Sequence, residues 1–159
     1  LAGYSIEYDF QQVERYFDKL SFEAVDTLNN FIGNELIAVS MEAFEGEKDP
    51  ETGKPWPKSN RAENTGGKTL LDKGNLRASI AYNIIRDGVE AGTPLLYGRI
   101  HMTGEVIRAK KDYMTFKIGN QFVRKKELRI PQRRFLGVPA DFENRVFGDP
   151  VITRLFEAG

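Results

Sequence analysis

The apolar positions change period along the chain. Tyr4, Ile6 and Tyr8 alternate with Ser5, Glu7 and Asp9, the two-residue period of a short strand. Phe10, Val13, Phe17 and Leu20 then recur at three- and four-residue steps, which predicts a helix capped by Asp9. Ser21 is placed to cap a longer second helix, whose inner face is Phe22, Val25, Leu28, Ile32, Leu36, Val39 and Ala43. Gly33 lies within that helix, where glycine costs about 1 kcal/mol against alanine, so its place points to close packing or a bend.

Periodicity stops at Glu45. From there to Lys68 the chain carries Gly46, Pro50, Gly53, Pro55, Pro57, Gly66 and Gly67, too many breakers for a regular element. Trp56, between two prolines, is the one large apolar group of this loop. It is expected to pin the loop to the body, or else to anchor a partner. The stretch from Gly66 to Ile80 then reads as a turn, one short helix with Asp72 as its cap, and the start of a hairpin. Leu76 and Ile80, four residues apart, share one side.

Two hairpins follow. Asp87-Gly88 is a two-residue turn signal; pairing Arg86 with Val89 sets Ile84 opposite Ala91 and gathers Ile80, Tyr82, Ile84, Val89 and Ala91 on one face. Gly92-Thr93-Pro94 opens a short helix through Leu95, Leu96, Tyr97 and Ile100, which ends before Gly104. Gly119-Asn120 then turns a second hairpin, with Ile118 facing Gln121 and Phe116 facing Val123. Its apolar face is Met114, Phe116, Ile118 and Val123; Lys117, Arg124 and Lys126 lie opposite with Tyr113, Thr115 and Phe122. Its length suggests a projecting arm. Phe135 to Val138, bracketed by Pro131 and Pro139, reads as a short strand or edge segment. Asp141 is placed to cap a last helix with Phe142, Val146 and Phe147 inward; Asp149-Pro150 interrupts it before Ile152, Leu155 and Phe156.

Together these elements predict an α+β fold. An antiparallel sheet of about four strands packs on two N-terminal helices, with a C-terminal helix and a projecting basic hairpin. One domain over residues 1–159 is expected: an acidic helical front (1–45), a loop (46–69), a sheet-forming core with the hairpin arm (70–139) and the C-terminal helix (140–159).

Charge adds to this picture. The chain is neutral overall, yet residues 1–53 hold 12 acidic and 3 basic residues, whereas residues 105–134 hold 10 basic and 3 acidic. Such segregation suits a molecule that meets partners by opposite faces, although charge runs are also ordinary solvated surface. Cysteine is absent, which removes disulfides, thiolate metal sites and a cysteine nucleophile. No apolar run approaches the roughly 18 residues that a membrane helix needs.

Catalytic chemistry finds little material. His101 is the only histidine, has no partner at metal-ligand spacing, and reads as a structural or interface residue. Gly66-Gly67-Lys68-Thr69 lacks the first glycine of a phosphate-binding loop, since position 62 is Ala62. Glu42, Glu45 and Glu47 read as a solvated face without a specific task. No catalytic, metal or cofactor residue is assigned and no cofactor is expected. The candidate interaction residues are Trp56, Lys110, Lys111, Lys117, Arg124, Lys126, Arg133 and Arg134. A basic two-stranded ribbon bearing Tyr113 and Phe122 also fits a nucleic-acid-binding module, although the signatures of such modules are missing.

Four segments in order carry a family resemblance. They are Phe44-Glu45-Gly46-Glu47-x-Asp49-Pro50-x-x-Gly53-x-Pro55-Trp56, Leu70-Leu71-Asp72-x-Gly74-x-Leu76-x-x-Ser79-Ile80, Tyr97-Gly98-x-Ile100-His101-x-x-Gly104 and Ile130-Pro131-x-Arg133-x-Phe135-Leu136-Gly137. In these the chain resembles the phage virion morphogenesis family of tail-completion proteins. The resemblance implies a phage or prophage structural protein used in tail completion or head–tail joining, acting without catalysis. It implies copies of the chain assembled as a ring, with phage neck, connector or tail proteins as partners. Assembly would take place in the bacterial host cytoplasm and leave the protein in the virion, with no membrane partner. Non-specific contact with DNA is the alternative use of the 105–134 region. Three assembly elements are expected: the 105–127 hairpin as an arm, the 45–69 loop ordering against a neighbour, and acidic helix residues meeting the basic hairpin of the next subunit.

Overall fold

The computed structural model describes residues 3–9, 22–118 and 121–157. The helix expected over 10–20, its Asp9 cap, the Ser21 cap and the conformation of the Gly119-Asn120 turn lie outside them. The described chain is α+β. In order it forms β1 (Tyr4–Asp9), α1 (Phe22–Gly46), α2 (Asn60–Thr65), α3 (Asn75–Ala78), β2 (Ala81–Ile85), β3 (Gly88–Thr93), α4 (Leu96–Thr103), β4 (Glu105–Arg108), β5 (Met114–Ile118), β6 (Gln121–Lys125), β7 (Glu127–Ile130), α5 (Phe142–Phe147) and α6 (Pro150–Glu157).

α1 is the spine. Its 25 residues span about 37 Å at 1.5 Å per residue, and it serves two clusters of buried side chains. Leu28, Ile32, Leu36 and Val39 pack with Val89 and Ala91 of β3 and with Phe142, Val146 and Ile152 of the C-terminal helices. One end further on, Ala43 and Phe44 join Trp56, Leu76, Ile80, Met102, Phe135 and Leu136. Residues three and four apart fall on one face of a helix, so a single apolar stripe reaches both clusters. Phe22, expected on that stripe, is 89% exposed, and the stripe becomes fully buried only from Leu28.

Three antiparallel strands in the order β1-β3-β2 lie against α1, in place of the expected four. β3 is central, which explains why its residues Val89 and Ala91 are wholly buried. The β2–β3 register differs from the expected one: Ile84 faces Val89, Tyr82 faces Ala91, and Arg86-Asp87 forms the turn. Each partner is displaced by two residues, an even step, so the faces are unchanged. Gly33 marks close packing. A Cβ there would stand 2.3 Å from the Tyr82 ring, and the Tyr82 hydroxyl donates to Asn30 Oδ1 at 2.9 Å.

The 45–69 segment is more regular than its breakers suggest. Asp49 Oδ1 accepts the amides of Glu51 (2.8 Å) and Thr52 (3.0 Å), and Trp56 N donates to the Glu47 carbonyl at 2.7 Å. Ser59 caps α2 by accepting from Ala62 N at 3.2 Å, and Gly66 closes it in the left-handed region at φ 68°, where glycine pays no steric cost. Breakers here delimit a short helix. α3 is entered from Gly74 with no side-chain cap, so Asp72 does not act as one; nor does Asp141 cap α5. Asp149 Oδ1 accepts from Val151 N at 2.8 Å where α6 begins.

Phe135 to Val138 forms no strand. Its anchors are side chains and α4: Phe135 N donates to Met102 Sδ at 3.2 Å, and Arg133 N to the His101 carbonyl at 2.7 Å. Phe135 and Leu136 are buried all the same. Beyond α4 the chain runs into two paired ribbons. β4 pairs with β7, with Glu105 opposite Ile130; β5 pairs with β6 in the expected register, with Phe116 opposite Val123. Ala109 N donates to the Lys126 carbonyl at 2.8 Å and links the two.

Candidate interaction surface

The eight candidate residues separate into two groups. Trp56, Arg133 and Arg134 belong to a packed knot around Phe135, whereas Lys110, Lys111, Lys117, Arg124 and Lys126 stand on or beside the β5–β6 hairpin.

Trp56 is 5% exposed. Its indole N–H donates to the Arg134 carbonyl at 2.8 Å and its ring meets Phe44 edge-on at 5.7 Å. It therefore pins the 45–58 segment to the body and is not an exposed partner anchor. The two arginines, expected on a free basic surface, are also tied inward. Arg134 lies against Asp49, at 3.1 Å from Nε to Oδ2, and against Glu51. Arg133 is 5% exposed, with Nε donating to the Pro57 carbonyl at 2.7 Å and Nη2 to the Lys58 carbonyl at 3.2 Å. Backbone carbonyls of the proline-rich segment need donors, and Arg133 supplies them at Pro57 and Lys58, while Arg134 pairs with carboxylates of the same segment.

The acidic front is likewise committed. Arg145 of α5 is bracketed by Glu35 (3.1 Å) and Glu42 (2.7 Å) of α1. Lys68 and Arg77 both reach Glu45, at 2.6 Å and 2.7 Å. Glu47 Oε1 accepts from the amide of the fully buried Thr69 at 2.6 Å. These contacts hold all three carboxyls below the usual range: the hydrogen bond from Arg145 for Glu42, that from Lys68 for Glu45, and the Thr69 amide for Glu47. So Glu42, Glu45 and Glu47 are not an idle solvated face; they clamp loop and helix together. The cationic partners Lys68, Arg77 and Arg145 lie 23 to 103 residues away, and no local spacing announces them. The expected contact of the acidic helices with a neighbouring hairpin loses these carboxylates, and the 45–69 loop is ordered by its own chain.

The hairpin is different. Thr115, Lys117, Phe122 and Arg124 share one face, because Thr115 faces Arg124 and Lys117 faces Phe122. Phe122 is 76% and Tyr113 56% exposed, and the Lys126 ammonium lies over the Tyr113 ring at 6.0 Å. Among the described residues, Lys110, Lys111, Lys117, Arg124 and Lys126 form no ion pair, and no other described element packs extensively on β5 or β6.

His101 lies in α4 on the face it shares with Tyr97, while Gly98 and Met102 turn to the core. Burial, with the neighbouring Arg133 charge, pushes its pKa down to about 4, so the ring is neutral at neutral pH. Among the described residues no group of three or more His, Cys, Asp or Glu side chains is placed to hold a metal ion, and no helix is long and apolar enough to cross a membrane.

A family model, the phage virion morphogenesis family, matches residues 8–155. The chain belongs to that family. The match takes in α1, strands β2 and β3, both ribbons and most of the C-terminal helices, so it covers the knot and the hairpin alike. No curated protein and no solved structure matches the chain. As a member of this family the protein has a part in phage virion morphogenesis, among other virion proteins.

Proposed function

We propose that this protein completes the phage tail or joins head to tail, and that it does so by docking rather than by catalysis. The β5–β6 hairpin carries this reading. Lys117, Arg124 and Lys126, with Lys110 and Lys111 beside them, form no ion pair among the described residues, the aromatic side chains Tyr113 and Phe122 are exposed, and no other described element packs extensively on the hairpin. A single domain would present this arm to copies of itself, arranged as a ring at the neck or tail end, and to neck, connector or tail proteins. Assembly would proceed in the host cytoplasm and leave the protein in the virion. An arm that makes few contacts in its own chain and orders against a neighbour suits such a task.

Sedimentation velocity on the intact chain, over a range of concentrations and salt, tests the association. Oligomers that dissociate as salt rises support an arm docking by charge. A mass indifferent to salt contradicts it.

One observation favours a second reading. Tyr113 and Phe122 beside Lys117, Arg124 and Lys126 offer stacking together with phosphate contact, as in single-strand binders. Filter binding of DNA over a salt series distinguishes the two: tight binding with a steep salt slope supports a nucleic-acid module, and weak binding supports protein docking.

A further inference from the structure

A second feature lies away from the hairpin. A cleft of about 320 Å³ is lined by Arg61, Asp72, Lys73, Tyr97, His101 and Arg133, among others. These come from four separate stretches of chain, so no contiguous motif announces the site.

Arg133 is the unusual member. A guanidinium taken out of water needs a counter-ion or a full set of acceptors. Arg133 is 5% exposed and has two carbonyl acceptors for Nε and Nη2; among the described residues no carboxylate pairs with it, and its Nη1, which is not a buried atom, donates to no protein acceptor and stays open to the cleft. The adjacent Arg134 has two carboxylates. His101 Nδ1 is also buried without a hydrogen-bond partner. Arg61 and Lys73 add positive charge, and the carboxylate of Asp72 lies toward Arg61, at 3.8 Å. The cleft thus holds three arginine or lysine cations against one carboxylate, with an unused donor on its most buried cation.

We propose that this cleft receives a carboxylate borne by a segment of a partner virion protein. The carboxylate accepts from Arg133 Nη1, Arg61 and Lys73 complete its charge balance, and Tyr97, 43% exposed, covers the flanking residues. A recessed guanidinium is reached by a side chain or a chain end, not by the backbone of a nucleic-acid duplex. The exposed cations of the hairpin are far better presented to such a polyanion. A bound negative charge also favours the protonated form of His101, which feels the Arg133 charge and lines the cleft together with Arg61, Lys73 and Asp72. The inference rests on family membership and not on the tail-completion reading, so its failure leaves that reading standing.

The test is an NMR titration of the intact chain with sodium acetate, against sodium chloride at equal ionic strength and against a short DNA duplex. The expected result is a saturable shift of the Arg133 Nε–H and His101 ring signals with acetate alone, and a His101 pKa raised by about one unit in its presence. Lys73→Glu, at an exposed position, keeps the fold and weakens acetate binding about three- to fivefold. Linear shifts that are equal for acetate and chloride, or affinity unchanged in Lys73→Glu, would overturn the site. A saturable shift of the same signals by the duplex at lower concentration than acetate would overturn the protein carboxylate in favour of phosphate.

Discussion

At the scale of single residues, two positions show how packing overrides local preference. Gly33→Ala improves helix propensity by about 1 kcal/mol, but its methyl enters the Tyr82 ring. Overpacking of this kind costs about 1–3 kcal/mol, and displacing Tyr82 also threatens its bond to Asn30. The expected outcome is a lower urea midpoint for the variant at unchanged m-value. His101 gives a pH signature. Its folded pKa of about 4 lies below the 6.5 of a free imidazole, so between those pH values the unfolded chain binds more protons. The stability it contributes is therefore present above pH 6.5 and is lost as pH falls toward 4. Unfolding titrations should show a falling free energy across this window, and His101→Gln should flatten it.

At the scale of elements, the proline-rich segment and the hairpin have opposite roles. Trp56 holds the former through Phe44 and the Arg134 carbonyl, so Trp56→Ala should cost about 3–5 kcal/mol and open residues 45–58 to proteases. Thermal melts with limited proteolysis check this. The hairpin contributes little to the core, so Lys117→Glu with Arg124→Glu should leave stability within about 0.5 kcal/mol of the parent. Both roles were only partly legible in the sequence. Period placed β1 and α1, and period with the Gly119-Asn120 turn signal placed β5 and β6, because each buries or pairs one regular face. The Asp87-Gly88 signal misplaced the turn, since a shift of partner by two residues leaves the apolar face intact and the pattern cannot detect it. Phe135 to Val138 looked like a strand because it is apolar and buried, but its anchors are Met102 Sδ and α4. Arg133 and Arg134 looked like surface charge because their acceptors, Pro57, Lys58, Asp49 and Glu51, lie some 75 or more residues away.

At the scale of the molecule, the charge segregation resolves into two unlike halves. Five acidic residues of the front, Glu35, Glu42, Glu45, Asp49 and Glu51, are paired from within by Arg134, Arg145, Lys68 and Arg77. The basic residues of the hairpin are not, among the described residues, and this leaves a positively charged arm on a body knit together by its own ion pairs. A family whose members build virions, together with such an arm, argues for function by docking. The most direct measurement is complementation. A phage that lacks this gene is supplied with the intact chain or with the Lys117→Glu, Arg124→Glu variant, and particles are counted by electron microscopy. The account predicts joined virions with the intact chain, and separate heads and tails with the folded variant. A full yield of joined, infectious particles from the variant would contradict it.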